Sequence, residues 1–133
     1  MVLVDTSVWI DHFRGRDSPQ SARLARLLDD EEDLCICGLI LTEILQGIRS
    51  DTQFKRTERS LSSLIYLPTT RDAYLTAAKL YRNARRNGIT IRRSLDCVIA
   101  GCAIENRVPI LHRDRDFDSI ARFSRLNTFR TGR

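Results

Sequence analysis

At 133 residues and 42% hydrophobic content, the chain suits a single domain over 1–133, long enough to bury a core. No apolar run approaches the ~20 residues of a bilayer-spanning helix. The N-terminus lacks both a basic region and a small-residue cleavage site, so the expected compartment is the cytoplasm. The net charge of +5 is unevenly spread: residues 1–81 carry ten basic and twelve acidic side chains, residues 82–133 twelve basic and five acidic. Of the 22 basic residues 20 are arginine. Arginine grips phosphate bidentately and stacks on bases, which suits the second half to nucleic acid, although a solvated charged face would have the same composition.

The chain opens on Val2-Leu3-Val4, a short β-branched run ending in Asp5-Thr6-Ser7. That pattern predicts a strand buried on both faces. Asp5 then reads in two ways, as the cap of the next helix or as a group facing a ligand at a strand's carboxyl end. A short helix over 7–14 stops near Gly15, and Pro19 opens a second with Ala22, Leu24, Ala25, Leu27 and Leu28 on its apolar side. The acidic run Asp29–Asp33 ends it as a solvated turn. Leu34-Cys35-Ile36-Cys37 is a second strand, and Gly38 leads into a helix with Ile40, Leu41, Ile44, Leu45 and Ile48 at helical spacing.

Residues 51–63 read as another helix, Ile65-Tyr66-Leu67 as a third strand closed by Pro68, and 71–87 as a long helix stopped by Asn87-Gly88. Ile89-Thr90-Ile91 is an extended link. Ser94 is placed to cap the next helix, with Leu95, Val98, Ile99, Cys102 and Ala103 turned inward. Pro109-Ile110-Leu111-His112 is a fourth strand, followed by a helical turn over 116–121 and an edge segment, Leu126–Phe129. Strands alternating with helices imply an α/β fold, a parallel sheet covered on both faces. Cys35, Cys37, Cys97 and Cys102 lack zinc-knuckle spacing and read as small core hydrophobes in a reducing compartment.

Three acids downstream fall where such a sheet brings residues toward Asp5. Glu43 lies in the apolar stretch Leu39–Leu45, an expensive place for an unpaired charge. Asp96 stands in a helix's first turn, where it also complements the helix dipole. Asp114 follows the fourth strand, where pairing with a nearby arginine is the ordinary alternative. Carboxylates within a few ångströms repel and hold their protons unless a cation intervenes. Oxygen-rich sites of that kind suit hard ions such as Mg²⁺ or Mn²⁺.

The segments Val2–Ile10, Thr42–Gly47, Ser94–Ala100 and Leu111–Phe117, in that order from end to end, resemble the PIN-domain ribonucleases, and among them the VapC-type toxins of bacterial toxin–antitoxin pairs. The resemblance implies a PIN-like α/β/α sandwich on a parallel sheet of four to five strands. It implies that Asp5, Glu43, Asp96 and Asp114 form an acidic active site. Asp5, Asp96 and Asp114 would hold Mg²⁺ or Mn²⁺, and Glu43 would orient or deprotonate the attacking water. Asp116 would support the site directly or through water, and Thr6 would supply a hydroxyl contact. His112 departs from the small hydroxyl residue common at its position and is expected to be packed or solvent-facing; His12 is expected at the surface. The implied substrate is a structured RNA such as tRNA, and cutting it would inhibit translation and growth. The implied partners are a VapB-type antitoxin and a second copy of the chain, as a homodimer or within a larger toxin–antitoxin assembly.

Arg85, Arg86, Arg92, Arg93, Arg113 and Arg115 are the arginines placed to hold an RNA backbone. A haloacid-dehalogenase-type phosphatase would need a second aspartate where Ser7 stands, and a receiver domain one where the third strand ends in Leu67-Pro68. A rival of another class is a non-catalytic RNA-binding module, or pseudo-enzyme, that keeps only the basic half.

Overall fold

A computed structural model describes residues 1–131. The elements run β1 (Val2–Val4), α1 (Thr6–Arg14), α2 (Pro19–Asp29), β2 (Leu34–Cys37), α3 (Gly38–Gln46), α4 (Asp51–Leu61), β3 (Ile65–Leu67), α5 (Arg71–Arg86), α6 (Ser94–Glu105), β4 (Ile110–Leu111) and α7 (Arg115–Arg122). The four strands form one parallel sheet in the order β3-β2-β1-β4. The chain steps outward from β1 through β2 to β3, then crosses back to lay β4 on the other side of β1. The order therefore reverses between β1 and β4, and the crevice beyond the carboxyl ends at such a reversal is where open α/β sheets bind ligands. With helices on both faces this is the expected α/β/α architecture.

The short apolar runs become strands because both of their faces are covered. All of Val2–Val4 and all of Leu34–Cys37 are buried, which leaves no place for an alternating polar face. The four cysteines are free and buried among these aliphatic residues. Gly15, in the left-handed region at φ 66°, closes α1 with its N–H on the Asp11 and His12 carbonyls. The segment Leu126–Phe129 meets β4 through one parallel bridge, Ile110 to Thr128. The Ile110 N–H donates to the Asn127 carbonyl at 2.9 Å, and the Phe129 N–H donates to the Ile110 carbonyl at 2.7 Å.

α6 is the helix most deeply enclosed. Asp96, Cys97, Ile99, Ala100, Gly101, Cys102 and Ala103 are all buried, and a helix apolar on every side belongs in an interior. Its small residues let α5 come close: a Cβ on Gly101 would sit 2.5 Å from the Ala73 carbonyl oxygen. Some local expectations fail. Ser94 is the first helical residue rather than the cap; Arg93 takes the cap position, and no side chain caps that end. Leu95, expected inward, is 44% exposed, because burial of its neighbour Asp96 sets the rotation of the first turn. On α2, Ala22 and Leu28 face solvent, while Leu24 and Leu27 alone of the predicted stripe are fully buried.

Gly101→Ala is therefore expected to force α5 and α6 apart at a backbone contact that cannot yield by rotamer change, costing about 1–3 kcal/mol. Urea unfolding of the variant against the parent chain measures it; an unchanged midpoint would mean that the helices are not held at that distance.

Candidate active site

Asp5 leaves the central strand at the carboxyl edge, its N–H donating to the Leu111 carbonyl of β4 at 2.9 Å. Its backbone occupies the cap position of α1, but its side chain makes no cap hydrogen bond. The carboxylate instead accepts from the Ser7 hydroxyl at 3.0 Å. Burial raises its pKa above the ordinary value; the Ser7 hydroxyl offsets part of that rise and the charge of Glu43 adds to it. Asp5 thus takes the cap position with its backbone, while its side chain does no capping.

Glu43 comes from the second turn of α3 with its side chain 13% exposed. The Thr6 hydroxyl donates to its Oε1 at 2.9 Å, and Arg93 Nη2 reaches its Oε2 at 2.6 Å. The apolar stretch that carries Glu43 therefore does not leave the charge unpaired. Asp96, in the first turn of α6, is 2% exposed. Its Oδ1 lies 3.2 Å from Arg93 Nη2, while Oδ2 is buried without a hydrogen-bond partner. Burial first, then the charges of Asp5, Asp114 and Asp116, raise its pKa to about 6 against the pull of Arg93.

Asp114 caps α7, accepting the Asp116 N–H at 2.9 Å. The same Oδ1 takes Arg92 Nη2 at 2.9 Å. Asp116 is buried, with Oδ2 3.2 Å from Arg92 Nε. His112, its side chain only 7% exposed, packs its ring against Phe117. Its Nδ1 accepts the Asp114 N–H at 3.1 Å, and Nε2 faces Asp118 at 3.3 Å. The ring is thus packed, as expected; burial lowers its pKa, and a neutral tautomer with its proton on Nε2 fits both contacts. His12 is half-buried, edge-on to Trp9.

Asp96, Asp114 and Asp116 can each place one carboxylate oxygen within 4.8 Å of the others. Asp5 is near enough for its charge to act on Asp96, and Glu43 near enough to act on Asp5. Five carboxylates from β1, α3, α6 and the start of α7 thus converge on the crevice beside the strand reversal. An all-oxygen donor set with one unpartnered buried oxygen fits a hard divalent cation. Asp116, expected only in support, lies in the tightest part of the cluster.

The arginines divide by partner. Arg92 and Arg93 pair with four of the acids. Arg113 reaches back to α1, its Nε 2.9 Å from the buried Asp11 carboxylate. Asp11 escaped the sequence reading, although an aspartate one turn beyond Val8, on the same face of the helix, was a signal that a cation must come to it. Arg85, over the Tyr81 ring, Arg86 and Arg115 are exposed.

A family model described as the PIN domain matches residues 2–123. A VapC ribonuclease of Mycobacterium bovis is 41% identical over 129 residues, which is 95% of this chain and 96% of that protein. Ribonuclease VapC11 of Mycobacterium tuberculosis matches with the same identity and coverage. Among solved structures, VapBC2 from Rickettsia felis, bound to a promoter DNA fragment, superposes with a TM-score of 0.76 at 16% identity, covering 97% of this chain and 98% of that one. At that identity the likeness speaks for the fold.

The raised pKa of Asp96 carries a pH signature. An acid that binds its proton more tightly when folded stabilises the fold at low pH, and that stability is lost as pH rises from the ordinary value of 3.8 to about 6. In chelator, Asp96→Asn is expected to flatten this fall and to be more stable than the parent chain at pH 7, by urea unfolding across the range. Parallel curves would show that Asp96 is not held against its charge.

Proposed function

The chain belongs to the PIN-domain family, and on that footing we propose that it is a metal-dependent endoribonuclease of the VapC toxin kind. The observation that carries this reading is the convergence of Asp5, Glu43, Asp96, Asp114 and Asp116 on one crevice, with burial opposing the charge of Asp5 and Asp96. Asp5, Asp96 and Asp114, with Asp116 beside them, would hold Mg²⁺ or Mn²⁺. A bound ion of that kind lowers the pKa of a water and neutralises charge developing on phosphate oxygens.

Glu43, its carboxylate set by the Thr6 hydroxyl, is the group proposed to orient the attacking water and accept its proton. Attack at phosphorus in line with the 3′ oxygen forms the new P–O bond and breaks the P–O3′ bond, leaving a 5′-phosphate and a 3′-hydroxyl. Arg113 and His112 hold the Asp114 loop from two sides through Asp11 and the Asp114 N–H. Arg85, Arg86, Arg92, Arg93, Arg113 and Arg115 are proposed to hold the RNA backbone, where guanidinium contacts position a strand without reading its sequence.

The names of the relatives, which say ribonuclease, support an RNA substrate, and the fold shared with the toxin–antitoxin complex VapBC2 supports a VapB-type antitoxin as partner. To these we add, as expectations from the family resemblance, a cytoplasmic toxin that acts on a translation RNA such as tRNA and pairs as a homodimer. A cleft of about 410 Å³, whose lining mixes Ile10, Phe13, Ile44 and Ile48 with Arg14, Arg49 and neutral polar residues, is the proposed seat of an antitoxin segment. No helix among the described residues is long and apolar enough to cross a membrane.

Incubating the protein with total RNA in Mg²⁺ or Mn²⁺, with and without chelator, tests the reading. Cleavage that stops on chelation is expected, and Glu43→Gln should lower the rate by about 10²–10⁴-fold with circular dichroism unchanged. RNA binding without metal-dependent cleavage would instead favour the non-catalytic module. Mapping the 5′ ends of RNAs cut on brief expression would identify the substrate.

A further inference from the structure

Arg92 and Arg93 lie side by side in the link between α5 and α6, with Arg93 in extended backbone at φ −129°, ψ 118°. Neighbouring side chains on an extended segment diverge. Accordingly Arg92 takes Asp114 and Asp116, at 2.9 and 3.2 Å, while Arg93 takes Glu43 and Asp96, at 2.6 and 3.2 Å. Two consecutive residues thus pair with four carboxylates from three other elements, two positive charges against four negative ones.

Their positions are unequal to those of the acids. Both guanidinium side chains are more than half exposed, whereas Glu43, Asp96 and Asp116 are nearly enclosed. The arginines approach from solvent and can leave into it without unfolding anything. They are also an incomplete match: one atom, Arg93 Nη2, serves both Glu43 and Asp96, and Asp96 Oδ2 is left with no partner. A guanidinium carries one delocalised charge on a planar fork, whereas a small divalent ion carries two at a point.

We propose that Arg92 and Arg93 are internal counterions of the acidic crevice, competing with the divalent cation for the same carboxylates, and that once turned outward they become the arginines nearest the scissile phosphate. This rests on the reading of the crevice as a metal-dependent nuclease site. The competition keeps the metal-free protein folded with its acids paired. It also sets the affinity for metal lower than the carboxylates alone would give, and it makes the phosphate grip of these two arginines conditional on metal.

Isothermal titration with Mn²⁺ at fixed pH and salt, on the parent chain, Arg93→Gln and the Arg92→Gln/Arg93→Gln pair, tests the competition. The double variant is expected to bind Mn²⁺ about tenfold tighter, yet to melt at a lower temperature in chelator. At saturating Mg²⁺ its KM for RNA should rise about tenfold while kcat changes less than threefold. A measurement on the parent chain alone guards against a variant that does not fold. In chelator, the Arg92 and Arg93 guanidinium N–H signals should be slowed in NMR spectra, and Mg²⁺ should release them. Equal Mn²⁺ affinities, or guanidinium signals indifferent to Mg²⁺, would overturn the counterion role while leaving the nuclease intact. A parent chain that binds neither ion would sink both.

Discussion

Like-charge repulsion beside the strand reversal is the constraint around which the rest of the molecule is arranged. Carboxylates from β1, α3, α6 and the start of α7 are brought within mutual influence at the carboxyl edge of a parallel sheet. Burial makes the charges of Asp5 and Asp96 harder to keep, and the neighbouring carboxylates compound the effect. Such an arrangement persists only if hydrophobic packing elsewhere holds it, and α6 does so. From Asp96 to Ala103 every residue of that helix but the half-buried Val98 is buried, which anchors the turn that carries Asp96. The fold stabilises itself in its interior and keeps an unfavourable concentration of charge at one edge, a common trade where a site awaits a cation.

Most of the framework was legible because it is local. Val2–Val4 and Leu34–Cys37 are too short and too apolar for anything but enclosed strands, and Gly15 and Gly88 mark helix ends by the left-handed backbone they permit. Asp5 ends an apolar run and Glu43 lies within one, while Asp96 in a helix's first turn and Asp114 after the fourth strand gain weight from the order of the four acids along the chain. What escaped is what depends on residues far apart. Nothing local to Arg93 announces Glu43, fifty positions away, as its partner. Nothing near Arg113 announces Asp11. From sequence Asp116 has only a supporting place beside Asp114, yet its carboxylate is the more deeply buried of the two, since burial after a strand depends on how the next helix docks. Ser94 carries a good capping hydroxyl, yet the rotation that buries Asp96 places it one residue inside the helix.

The same chemistry of pairing appears at two depths. The Asp11–Arg113 pair ties α1 to the loop after β4, joining a buried acid to a partner that is 45% exposed. His112 accepts the Asp114 amide from the other side. The loop bearing Asp114 is therefore held by its neighbours on the chain rather than by its own conformation, and supporting contacts of this kind fix where a reactive carboxylate points.

The sheet's two borders are finished differently. The outer side of β4 is met by the Leu126–Phe129 segment, whose amide and carbonyl groups occupy those of Ile110. β3 keeps its outer side open, with Ile65 and Tyr66 exposed, but it is only three residues long and Pro68 follows at once. A border that short, ended by a residue with no amide to offer, makes a poor template for a foreign strand. The sheet thus carries its own guard against uncontrolled stacking.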